Sequence, residues 1–276
     1  MSVADEELTP ARPEDDTRQR LTWLGHSTVL LEVDGARLLT DPVLRARVLH
    51  LRRVGEALPL DPQSVDAVLI SHIHYDHLDL PSLRRLGRSS LLVVPSGAGS
   101  LLRRHGFEHV IEVEPGDEAQ IRGATIRATH AEHDSRRLPF GVETPALGYL
   151  VSGSVSTYFA GDTDLFGGMG AIADNLDVAL LPVAGWGPSL PPGHLDPRGA
   201  AEALGLLRPR IAVPIHWGTY RRIGLSRDPA VLREPAESFA RFAADLMPEV
   251  EVCVLPVGVS VDIEMRTTLQ RAEDER

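Results

Sequence analysis

The segment "VDAVLISHIHYDHLDL" (65–80) constrains this chain more than any other. Val65–Ile70 is a short apolar run and reads as a buried strand. Directly after it, three histidines and two aspartates fall within the ten residues from Ser71 to Leu80. His72, His74, Asp76 and His77 put four ligand-type side chains into six positions. Helical spacing would scatter them around the axis, so a helix is a poor home for them. In an extended turn past the strand end, His72 and His74 project to one side, and Asp76 and His77 turn toward a second point. Imidazole and carboxylate together are the donors of borderline divalent metals, zinc above all. The competing reading is a polar surface loop rich in histidine.

Two ions would need further ligands from elsewhere, again just past strand ends. Three residues answer that description: His133 in "HAEHD", Asp162 in "FAGDTD" and His216 in "VPIHWGT". Each follows a run that reads as strand, so the candidate ligands come from four strand ends.

Composition narrows the partners. The chain has 276 residues and a formal charge of −11, so counterion release on DNA or RNA offers it little and nucleic acid is not an expected partner. Its one cysteine, Cys253, sits in "VEVCVLPVGVSVDI" and reads as a small buried strand residue. With no disulfide possible within the chain, cytosol is the default compartment. The N-terminus has no apolar core of a signal peptide, and no run approaches the roughly 20 apolar residues of a membrane span. Oligomeric state is open.

Residues 1–19 read as a polar, disordered leader, 20–265 as one folded domain and 266–276 as a polar tail. "LTWLGHSTVLLEVDGARLLTDP" reads as two strands joined at Asp34-Gly35. A helix is expected from near Pro81 to Gly87, another in "GAGSLLRRHGF", and strands around turns from His109 to His133. A hairpin follows, then strand–helix units built on "DVALLPV", "DPRGAAEALGLLRP", "IAVPIHWGT" and the amphipathic "EPAESFARFAADLMP", with a closing strand pair. Two halves of this kind suit an α/β fold of two sheets covered by helices.

"HIHYDH" matches the His-x-His-x-Asp-His signature of the metallo-β-lactamase fold superfamily, and "GDT" and "PIHWGT" follow in that family's order. The resemblance covers roughly Leu21 to Val261. "WLGHSTVLLE", "TDPV", "GHLDP" and "IHWGT" resemble the branch of N-acyl phosphatidylethanolamine phospholipase D and L-ascorbate-6-phosphate lactonase. The resemblance implies a four-layer αββα sandwich of two mixed β-sheets flanked by helices. It implies two divalent ions, zinc first with manganese or iron as alternatives. One would be held by His72, His74 and His133, the other by Asp76, His77 and His216, with Asp162 between them. In "HAEH" the family pattern favours His133 over His130. His26 and Asp41 match motifs that support the ligands from behind.

Two such ions about 3.5–4 Å apart share a hydroxide that is nucleophilic at neutral pH. Two dications, two carboxylates and a hydroxide leave the site near about +1, which favours an anion. The expected reaction is therefore hydrolysis of a small anionic ester, a phosphodiester first and a lactone second. Asp76 and His194 are the candidate catalytic residues, His194 as acid toward the leaving group. Arg45 and Arg52, in "LRARVLHLRR", are candidate substrate clamps, against the alternative of a solvated helix face. Arg136 and Arg137 have a similar claim. Trp186 and Trp217 are expected to wall the pocket or to pack loops, and His50, His105 and His109 to be surface residues. β-Lactam or other amide hydrolysis, and a metal-binding module without activity, are the alternatives. An oxygen-reducing di-iron enzyme of this superfamily would carry Glu where His74 stands, and a nuclease would need a basic groove.

Overall fold

The computed structural model describes residues 18–56, 58, 61, 64–137, 143–185, 190–224 and 228–265. Its first half runs β1 (Arg20–Gly25), β2 (Thr28–Val33), β3 (Ala36–Thr40), β4 (Arg47–Val48), β5 (Leu51–Arg53), β6 (Ala67–Leu69), α1 (Leu80–Leu86), β7 (Leu91–Pro95), α2 (Gly99–Arg104) and β8 (Val110–Val113). The second half runs β9 (Glu118–Ile121), β10 (Ala124–His130), β11 (Leu147–Ser152), β12 (Ser156–Phe159), β13 (Val178–Pro182), α3 (Pro197–Leu207), β14 (Ile211–Ile215), β15 (Tyr220–Arg222), α4 (Pro229–Leu246), β16 (Glu251–Val252) and β17 (Ser260–Asp262).

One sheet has the order β17-β1-β2-β3-β6-β7-β8 and the other β16-β14-β13-β12-β11-β10-β9. Both are mixed: β3, β6, β7 and β8 pair in parallel, as do β12, β13, β14 and β16, and the remaining pairs are antiparallel. Side-chain alternation explains the layers. Val29, Leu31, Leu38, Leu69 and Val93 face the second sheet's Ile126, Tyr149 and Phe159, while Leu30, Leu39, Val68 and Leu92 face Leu83, Leu86 and Leu102 of α1 and α2. These strands are buried on both faces, which is why they read as continuous apolar runs. α3 and α4 close the other side through Ala200, Leu204 and Phe239. The result is the four-layer αββα sandwich. Asp79, Asp196 and Asp228 cap the starts of α1, α3 and α4, each with a proline in the first turn.

Three expectations and one alternative reading need correction. The first apolar stretch forms three strands, because Gly25 and His26 adopt positive φ (104° and 55°) and break β1 from β2. "LRARVLHLRR" is the β4–β5 hairpin of a small sheet with β15 and not a helix. The last two strands do not pair: β16 joins β14 in one sheet and β17 joins β1 in the other. Cys253 lies just past β16 and is only partly buried. The leader to residue 17 and the tail from 266 lie outside the described residues. Gln19 belongs to the folded body, where it is buried, bonds Asp34 Oδ1 and accepts from Ile263 N. No helix among the described residues is long and apolar enough to cross a membrane.

Candidate metal centre

The chain past the C-terminal ends of β3, β6, β10, β12 and β14 supplies Asp41, the 72–77 loop, His133, Asp162 and His216. Hydrogen bonds lock these segments together across the two sheets. Leu147 N donates to Ser71 O (2.9 Å) and His216 N to His26 O (3.0 Å).

Two clusters of donor atoms result. His72 Nε2 lies 3.0 Å from His74 Nδ1, which lies 3.2 Å from His133 Nε2. Beside them, His77 Nε2 and His216 Nε2 lie 3.2 and 3.4 Å from Asp162 Oδ2, and 3.9 and 4.0 Å from Asp76 Oδ2. Asp162 also groups with His133 and His194, so its carboxylate stands between the clusters. His130 points to solvent, where it meets Glu132 and the Phe166 ring. Of the two histidines, it is His133 that groups with His72 and His74.

The outward nitrogens fix which inward nitrogen carries a lone pair. His77 Nδ1 donates to Asp41 Oδ2 at 2.7 Å. His72 Nδ1 sits 2.9 Å from Ser71 Oγ, which itself donates to Asp41. His133 Nδ1 donates to Gly193 O at 2.8 Å and His74 Nε2 to Arg136 O at 3.2 Å. The rings of His72, His74 and His133 thus turn an unprotonated nitrogen inward, while His77 faces Asp162 Oδ2 with its Nε2. Sequence reasoning found Asp41 but missed Ser71 and the two carbonyls. Ser71 carried a signal, its place directly before the first histidine; a backbone carbonyl carries none.

Burial holds His72, His74 and His133 below the ordinary imidazole range and pushes His216 down to about 3. Burial alone would raise Asp76 and Asp162. The surrounding imidazoles overcome it, His26 foremost at Asp76 and His216 at Asp162, and hold both well below the usual carboxylate range. His77 goes the other way: burial lowers it, but Asp162 and Asp41 together hold it well above. The neutral imidazoles of His72, His74, His133 and His216 facing ionised carboxylates are a metal-ready donor set, and His77 would give up its second proton to a bound ion. Asp162 Oδ1 is buried without a hydrogen-bond partner, which a cation would relieve. The residues present fit divalent ions.

The remaining candidates separate. His194 lies at the rim, its Nε2 3.7 Å from Asp162 Oδ2 and its ring 4.7 Å from that of His133. Arg45 is not poised for substrate, because its guanidinium fork is held by both oxygens of Asp79 (2.9 and 2.6 Å). Arg52 is exposed on β5, opposite Arg221. Arg136 pairs with Asp134, and Arg137 grips the carbonyls of Ile73 and Leu78 while its guanidinium stacks 3.9 Å from the Tyr75 ring. Arg137 therefore fastens the ligand loop. Trp217 stacks on Trp23 at 4.8 Å; Trp186 lies outside the described residues. His50 and His109 are exposed and His105 is half-buried. A cavity of about 1040 Å³ opens beside His194 and His216, lined by Leu190, Trp217, Arg221, Arg222 and Val231 among others.

A family profile described as a beta-lactamase superfamily domain matches residues 36–217. The chain belongs to the metallo-β-lactamase superfamily of metal-dependent hydrolases. Within that superfamily, a metal-dependent hydrolase of Methanopyrus kandleri is 34% identical, over 88% of this chain and 99% of the relative. An uncharacterized protein of Mycobacterium tuberculosis is also 34% identical, over 90% of this chain and 70% of its own. A metallo-hydrolase of Ignicoccus hospitalis superposes with a TM-score of 0.67 at 27% identity, covering 90% of this chain and 99% of that one. An isothiocyanate hydrolase from Delia radicum gut bacteria (TM-score 0.68, 22% identity, 90% and 100% covered) shares the superfamily's fold.

Proposed function

We propose that the protein binds two divalent ions, zinc first, and hydrolyses a small anionic ester, with phosphodiesters favoured over lactones. The observation that carries this reading is the position of the Asp162 carboxylate between two histidine clusters. His72, His74 and His133 would hold one ion, Asp76, His77 and His216 the other, and Asp162 would serve both. When bound, such ions would lower the pKa of a water and polarise the carbonyl or phosphoryl oxygen of the group under attack.

The chain's own residues do the rest. Asp41, Ser71, Gly193 and Arg136 orient the imidazoles. Asp76 is at once ligand and neighbour of the reacting atoms. His194, at the rim with Nδ1 3.2 Å from Pro191 O, is placed to give a proton to the leaving group from Nε2. Arg221 and Arg222 line the adjoining cavity and bring positive charge toward an anionic substrate. Arg52, on the strand beside them, keeps a place in this reading, and the lone cysteine suits a cytosolic setting.

The test is a hydrolysis screen of phosphodiesters, lactones and β-lactams with zinc or manganese, joined to metal analysis. About two ions per chain and phosphodiester turnover that collapses in His72→Ala are expected. Turnover confined to lactones or β-lactams would replace the substrate class. A single ion at saturating metal would refute the two-ion centre.

A further inference from the structure

The family resemblance implies that His26 stands behind the ligands, as a residue that supports them. Its position in the fold is closer than that. His26 Nε2 lies 3.6 Å from Asp76 Oδ2, nearer than either His77 (3.9 Å) or His216 (4.0 Å). The ligand atoms of His26, Asp76, His77 and His216 all lie within 4.8 Å of one another. The His26 ring stands 4.1 Å from the His216 ring at 49°, much as the His72 and His77 rings stand 4.0 Å apart at 43°. The closest approach is 3.6 Å, between His26 Nε2 and Asp76 Oδ2. It is close to the roughly 3.4 Å that separates two donors sharing a tetrahedral zinc ion.

The backbone is built to hold this residue. His26 is 1% exposed and adopts a left-handed φ of 55°, unusual for a side chain of its size. Its amide donates to Thr219 Oγ1 (2.6 Å), and its carbonyl accepts from His216 N (3.0 Å) and Trp23 Nε1 (2.9 Å). A strained conformation persists only where its surroundings over-determine it, and such residues gather at functional sites. Two of these clamps come from the very loop that carries His216.

We infer that His26 is itself a ligand of the second ion, alongside Asp76, His77 and His216, an assignment that rests on the metal centre proposed above. The two ions are then unequal. The second has four side chains of its own before Asp162 is shared, the closed arrangement of a structural site. The first has three, His72, His74 and His133, and keeps the open position that a catalytic site needs. Substrate is thereby directed to the first ion, on the side where His194 stands.

The test uses full-length His26→Gln and His26→Asn, with zinc affinities measured by competition against a chromophoric chelator and visible spectra of the cobalt-loaded proteins. Gln keeps an N–H donor at similar reach, so it would rescue a merely supporting role. Asn tolerates the left-handed backbone but is too short to reach the ion, and it guards against loss of folding, checked by thermal unfolding of the metal-free proteins. The expected result is one zinc bound as in wild type and one weakened in both variants beyond the roughly 10–100-fold cost of losing an outer partner. The cobalt absorption should change with the lost nitrogen. His26→Gln with both affinities and the cobalt spectrum of wild type would overturn the assignment. Wild-type protein that binds no ion would instead overturn the metal centre itself.

Discussion

Asp41→Asn is the sharpest probe of how the ligands are held. The Asp41 carboxylate is fully buried; Oδ1 accepts from Ser71 N at 2.7 Å, and Oδ2 accepts from Ser71 Oγ and from His77 Nδ1 at 2.7 Å. Asn has the same shape and tolerates the residue's φ of 31°, so the backbone is not disturbed. What changes is one acceptor into a donor. If the amide oxygen stays on Ser71 N, the amide nitrogen meets the His77 Nδ1 proton, and His77 must shift that proton to Nε2, where the proposed ion would bind. The loss is one hydrogen bond to a charged group, about 1.5–3 kcal/mol. At about 1.4 kcal/mol per tenfold, this is roughly 10–100-fold in affinity, the range known for outer partners of metal ligands. The assay is zinc competition with a chelator, read beside turnover. Both should fall while the metal-free protein keeps its fold. Asp41→Asn that binds zinc as wild type does would refute the claim that Asp41 sets the His77 proton.

The remaining predictions concern acid, pH and packing. His194→Ala should lower turnover about 10²–10⁴-fold at unchanged metal content, and less for substrates with activated leaving groups; loss of metal would show that it is a ligand. Metal-free protein should lose stability as pH falls from about 6.5 toward 3. His216 stays neutral in the fold down to about 3 while the unfolded chain takes up its proton near 6.5, and His72 acts in the same direction. Urea unfolding of the chelated protein at several pH values measures this, and a flat profile would contradict it. Arg45→Met should cost about 1–2 kcal/mol of stability by leaving the buried, α1-capping Asp79 with Ser82 but without its cationic partner, with turnover nearly unchanged. A large rise in KM with stability intact would restore Arg45 as a substrate residue.

The fold was legible wherever burial writes itself into sequence. Val65–Ile70 and Val178–Pro182 read as strands because both their faces are covered, and α1 and α3 announced their starts through Asp and Pro. The break at Gly25-His26 was not legible, since the apolar pattern runs through it and only two positive φ values interrupt the strand. The candidate ligands were legible for a chemical reason: few other uses exist for His and Asp directly past a buried strand. The arginines were not. Arg45, Arg53 and Arg137 are alike as letters, yet the fold fastens one to a carboxylate and the other two to backbone carbonyls. Asp79, Leu24 and Ile73 lie 34, 29 and 64 residues from their arginines along the chain, beyond any local pattern.

That a chain of net charge −11 should favour an anionic substrate, as proposed, needs a physical account. Exposed charges are screened by salt over roughly 8–10 Å, so the acidic surface acts weakly at the centre. The candidate ligands His72, His77, Asp162 and His216 are each at most 4% exposed, where attraction and repulsion are felt at much lower dielectric. Carboxylates are also what make the centre bind cations at all, so acidity inside the site and preference for anions are two stages of one mechanism. In the proposed centre Asp76 and Asp162 would draw in divalent ions, and the ions would outweigh them. The inequality inferred from His26 sharpens this point. If one ion is closed off by protein, the residual positive charge is offered at the other, beside His194 and the mouth of the cavity. Recognition of the anion and protonation of its leaving group then occur on the same side of the centre.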